Sequence, residues 1–92
     1  MMTVELTATF EQTSGSEISQ TSDGVVVYQP DRERVHYLNP TASLVYDLCR
    51  EAQSVGAIAA FLQDAFSLIE PPHDEVRLCI EQLVTEGLIS RC

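Results

Sequence analysis

The side chains able to do chemistry are few and scattered. Cys49, Cys79 and Cys92 are widely spaced and form no C-x-x-C pair. Cys49 and Cys79 fall in apolar helical patterns, where a small buried hydrophobe is the ordinary role, and Cys92 reads as an exposed terminal thiol. A zinc site would require them to converge with His36 or His73, and nothing in the spacing brings them together. His36 alternates with Val35 and Tyr37 and reads as a structural or surface strand residue. His73 opens a helix and reads as solvated. Asp74-Glu75 suits the first turn of that helix better than a general-acid pair. No G-x-S-x-G, H-E-x-x-H, P-loop or G-x-G-x-x-G is present. The expectation is a protein that is not an enzyme, with no catalytic residues, no metal and no cofactor.

Charge narrows the partners. The 92 residues carry 14 acidic side chains against five basic ones, a net −9, and every basic residue is Arg. Nucleic-acid affinity comes largely from cations that displace counterions, so no nucleic acid is expected. An acidic chain favours partners with basic surfaces. The length fits one domain, and 45% hydrophobic with 21% charged residues is ordinary for a folded soluble protein. No apolar run reaches the roughly 20 residues of a membrane span. The start, MMTVELTATF, has neither a basic n-region nor an apolar h-region, so a cytoplasmic protein is expected.

The elements that position these residues follow from periodicity. Val4–Phe10 alternates, with Val4, Leu6, Ala8 and Phe10 on one face, as a half-buried strand does. EQTSGSE reads as a loop or short linker. ISQ is a short strand, and Asp23-Gly24 a hairpin signal. VVVYQ, 25–29, is the strongest strand, Pro30-Asp31 a turn, and RVHYL, 34–38, the returning strand. Asn39 then serves as helix N-cap, with Pro40 at the first helical position. Ala42, Leu44, Val45, Leu48 and Cys49 form the first helix stripe. Ser54 caps a second helix carrying Ile58, Ala59, Phe61, Leu62, Ala65 and Phe66. A third helix runs over 73–86 with Val76, Ile80, Leu83 and Val84 inward, and Gly87 ends it. Leu78 points nearly opposite Ile80, outside the stripe. A lone exposed Leu is normal, and it is also what a helix lining a hydrophobic groove presents. The fold class is α+β: a three-stranded antiparallel sheet followed by three helices, winged-helix-like.

What remains is binding. A sheet this small has edges, and RVHYL is the natural one, running into the helix through RVHYLNPTA with no linker. A short edge carrying Arg34 can be merely protected. It can also accept an extended peptide as a further strand, backbone bonds supplying affinity and flanking pockets specificity.

DGVVVYQPDRERVHYLNPTASLVYDLC, followed by SVGAIAAFLQDAF and EVRLCIEQLVTEGLI, resembles the PqqD-like family, the RiPP recognition elements. The L-N-x-T-A step at Leu38–Ala42 and the closing E-G-L-I at Glu86–Ile89 are its most specific parts. The resemblance covers roughly 17–90 and implies a winged-helix-like, non-catalytic peptide-binding domain at 17–92. Residues 1–16 are then an N-terminal extension, read as an extra strand, a flexible tail, a dimer contact or a segment that occupies the groove. Members of the family bind the leader segment of a ribosomally made precursor peptide as a strand beside the third helix. They deliver it to a modifying enzyme such as a radical-SAM enzyme, or to a leader peptidase or cyclase. By position, the peptide-binding strand is Arg34, Val35, His36, Tyr37 and Leu38, with Leu38 inward. The helix wall is Glu75, Val76, Leu78, Cys79, Gln82 and Leu83. A monomer or weak dimer is expected.

Two other readings share these elements. A docking subunit without leader binding needs only the same surfaces. A winged-helix nucleic-acid binder would need a cationic recognition helix, whereas the third helix sets Asp74, Glu75, Glu81 and Glu86 against Arg77.

Overall fold

The computed structural model describes residues 5–92. Its strands are β1 Thr9–Gln12, β2 Glu17–Thr21, β3 Gly24–Gln29, β4 Arg34–Leu38, β5 Gln53–Ser54 and β6 Ile89–Arg91; its helices are α1 Pro40–Leu48, α2 Val55–Ala65 and α3 His73–Thr85. Two antiparallel three-stranded sheets result, in the orders β2-β3-β4 and β5-β1-β6.

The first sheet is the expected one. Val25, Val27 and Gln29 of β3 turn inward and are buried, while Val26 and Tyr28 face outward. The hairpin loop is Ser22-Asp23, one residue earlier than Asp23-Gly24 suggests, and Gly24 is already the first residue of β3, paired with Thr21. The glycine answers a close approach instead: a Cβ there would collide with the Leu38 carbonyl. Pro30–Arg32 forms a single 3-10 turn, and Glu33 takes a left-handed conformation (φ 51°) to re-enter β4.

The helix signals hold. The Asn39 side chain accepts from the Ala42 N–H at 2.8 Å, and Pro40 is the first residue of α1. Ser54 accepts from the Ala57 N–H at 3.1 Å. Helix α3 ends at Thr85, with Glu86 as its cap residue. Gly87 at φ 75° then lets its own N–H reach the Val84 carbonyl and the Leu88 N–H reach Leu83, at 2.9 Å each. That paired closure is the Schellman arrangement.

The N-terminal segment departs from expectation. Its strand forms at Thr9–Gln12 rather than over Val4–Phe10, and Val4 itself lies outside the described residues. Glu11 and Gln12, read as loop, pair with Ser90 and Ile89. The reason is long-range. β1 is the central strand of the second sheet, and its register is set by β5 and β6, two very short strands with little pattern of their own. The preceding turn serves α2: the Ala8 and Leu6 carbonyls accept from Val55 and Gly56 N–H at 3.1 and 2.9 Å, satisfying donors that a helix start leaves orphaned.

Phe10 (2% exposed) reaches from β1 into one continuous core with Val27, Val45, Ile58, Leu62, Ile80 and Leu88. Tyr46, which the α1 stripe omits, is buried there too. Truncating Phe10 to Ala should cost roughly 3–5 kcal/mol, measured by denaturant unfolding; a loss below about 1 kcal/mol would mean that the β1 segment is not integral to the fold. Burial also pushes the Cys49 thiol from its ordinary 9.0 up to about 12. A raised acid pKa stabilises the fold below the unfolded value and loses that contribution as pH rises through the folded one. Wild type should therefore lose stability between about pH 9 and 12 more steeply than Cys49→Ala, compared by thermal melts across that range.

Candidate peptide-binding groove

Strand β4 pairs with β3 on one side and, among the described residues, with nothing on the other. Which of its backbone groups are free follows from the β2–β3 hairpin. Residues flanking a two-residue loop, here Thr21 and Gly24, exchange both backbone hydrogen bonds, and the pattern alternates from there. Val26 and Tyr28 thus bond toward β2. Val25, Val27 and Gln29 bond toward β4, to Leu38, His36 and Arg34. The N–H and C=O groups of Val35 and Tyr37 are left pointing out of the free edge.

Side chains divide the same way. Val35 and Tyr37 stand on the outer face, 65% and 57% exposed. His36 and Leu38 turn inward, toward α3. Helix α3 meets them with Glu75, Leu78, Cys79 and Gln82, spaced i, i+3, i+4 and i+7 along one face. Between the two elements lies an open groove of about 540 Å³. Its floor is Leu38 and Leu83, and its helix wall is those four residues. One end is closed by Asn39, Thr41 and Ala42 from the start of α1, with Tyr37 on the strand side.

Of the residues expected to bind peptide, Tyr37, Leu38, Glu75, Leu78, Cys79, Gln82 and Leu83 line this groove. Val76 is 1% exposed and lies behind it, in the core. Leu78, 66% exposed, is an apolar side chain of α3 that the core does not use. Burial pushes the Cys79 thiol up to about 11, so it stays an uncharged part of the wall. Asn39, Thr41 and Ala42 were legible only as a helix start.

At the Arg34 end a polar relay joins strand to helix. The Gly87 carbonyl can only accept, so it orients the Gln29 amide, whose Nε2 donates to it at 3.2 Å. Gln29 Oε1 then faces His36 Nε2 at 2.7 Å, and that nitrogen must donate. The other ring nitrogen, Nδ1, lies 3.2 Å from the Glu86 carboxylate, which Arg34 also approaches at 3.7 Å. Gln29 is buried and the His36 side chain only 9% exposed. Helix α3 therefore runs opposite to β4, its last turn tied to Arg34 and His36, its first turn beside Leu38 and the start of α1. Removing the ring in His36→Ala would orphan the buried Gln29 oxygen. Unfolding experiments should register a loss of about 1–3 kcal/mol, whereas Arg34→Ala, at an exposed pair, should cost under about 1 kcal/mol.

Comparison with curated proteins gives no match. Among solved structures, the chain is similar to Lasso peptide synthetase B1 complexed with the leader peptide. The TM-score is 0.67 and the identity 21%, over 88% of this chain and 96% of that one. At that identity the likeness speaks to the fold. The family Coenzyme PQQ synthesis protein D (PqqD) matches residues 24–89, from the first residue of β3 to the first of β6 and so across β4, α3 and the groove between them. The chain belongs to the PqqD family.

Proposed function

We propose that this protein captures the leader segment of a ribosomally made precursor peptide as a strand on β4 and delivers it to a modifying enzyme. The observation that carries the proposal is a free strand edge beside a groove that holds Leu38, Leu78 and Leu83, in a PqqD-family chain. The similar solved structure is described as a complex with a leader peptide, which supports the same use of this fold. The residues that would hold the peptide are Arg34–Leu38 on the strand and Glu75, Leu78, Cys79, Gln82 and Leu83 on the helix side.

Strand addition dictates the peptide's pattern. Peptide residues opposite Val35 and Tyr37 exchange backbone hydrogen bonds with the edge. The residue opposite His36 makes none and sends its side chain inward, toward α3, as does its neighbour two positions on. An alternating peptide with apolar side chains on the inward positions fits this groove. The role is non-catalytic: chemistry on the peptide belongs to the partner, a radical-SAM enzyme, peptidase or cyclase that receives it.

Titrating candidate leader peptides into the isotope-labelled full chain should move amide signals of Val35–Leu38, Leu78, Cys79 and Gln82. A bound peptide that leaves all of these unmoved would overturn the proposal. Leu78→Asp should weaken binding about tenfold or more with little change in melting temperature, because the side chain is exposed in the free protein. Proline in the peptide opposite Val35 or Tyr37 should be far more damaging than proline opposite His36, since only the former removes a bonded donor.

A further inference from the structure

The carboxylates on and around α3 are not equivalent. Asp74 is held by Arg77 at 3.1 Å. Glu86 faces His36 and Arg34 at 3.2 and 3.7 Å. Glu75 lines the groove and, among the described residues, makes no hydrogen bond or ion pair. No other residue lining the groove carries a charge. The α3 N-terminus favours Glu75, but it shares that field with Asp74.

In the free protein Glu75 is exposed to water and costs nothing. A peptide laid along β4 would cover the groove and strip part of that water. A carboxylate covered without a partner is penalised, and a cation beside it offsets the loss. The protein's net charge of −9 adds attraction for the same sign.

We propose that Glu75 is a specificity residue that selects a Lys or Arg in the bound leader peptide. This rests on the strand-addition reading above and adds to it a position. Because α3 runs opposite to β4, Glu75 sits at the Leu38 end, beside Asn39, Thr41 and Ala42. The selected cation therefore lies past the apolar side chain seated on Leu38, Leu78 and Cys79, on the side toward α1. In a peptide added antiparallel to β4, that is the N-terminal side of the anchor. Beyond the other end of the groove Arg34 and His36 already answer Glu86, so no cation is selected there.

The test is a random dodecapeptide library selected in parallel on the full wild-type chain and on its Glu75→Lys variant. Wild type should enrich alternating apolar peptides with Lys or Arg at a fixed offset on one side of the apolar pair. Glu75→Lys should enrich Asp or Glu at that same offset. The synthesised wild-type consensus should bind about 3–10-fold more weakly to Glu75→Gln at low salt, with the difference shrinking at high salt. An alternating consensus whose affinity ignores both Glu75 variants would overturn this inference and leave strand addition standing. Enriched peptides that leave the Val35–Leu38 amides unmoved would overturn strand addition itself.

Discussion

β4 is held in place by one neighbour while its other edge, among the described residues, stays unpaired, and the rest of this structure answers that constraint. The strand is anchored by its pairing with β3 and through its inner face. Leu38 is buried in the core, and His36 is fixed between Gln29 and Glu86. The outer edge contributes nothing to the fold and is left to water. The relay at Gln29, His36 and Glu86 also sets the distance between β4 and the last turn of α3. The Schellman closure at Gly87 presents the carbonyl that orients the relay. The width of the groove is thus fixed from the end opposite to its apolar pocket.

The second sheet packs into the same core behind this arrangement. β1 threads between β5 and β6 and drives Phe10 into the core, while the turn before it caps the start of α2. The family match starts at Gly24, so β1 and β2 lie outside it, yet both pack into the same body as the groove.

Much of the groove was legible in the sequence because its determinants are local. The Asn39-Pro40 start of α1, the Gly87 stop of α3, the alternation in β3 and β4 and the outward angle of Leu78 all follow from neighbouring residues and helical geometry. What was not legible depends on residues far apart in the chain. The position of β1 is decided by Gln53–Ser54 and Ile89–Arg91, too short to carry a period. Gln29, His36 and Glu86 each look like ordinary surface polar residues. Only the Val27–His36 register and the end of α3 bring them together. Val76 was read both in the inward stripe and in the groove wall, and the packed rotation of α3 decides for the core.

The free edge is also short, and this bears on time rather than on fit. Only Val35 and Tyr37 offer outward backbone groups, two donors and two acceptors in all. At a net contribution of about 1 kcal/mol apiece, these bonds cannot by themselves meet the cost of ordering a flexible ligand. The groove must supply the remainder from a few side chains. In the proposed use of this edge, a complex balanced in that way would fall in about the micromolar range. With ordinary association rates of about 10⁵–10⁷ M⁻¹s⁻¹, its residence time is roughly ten seconds or less. Under the proposed function, such a carrier would let go of its cargo soon enough for the next protein to take it up.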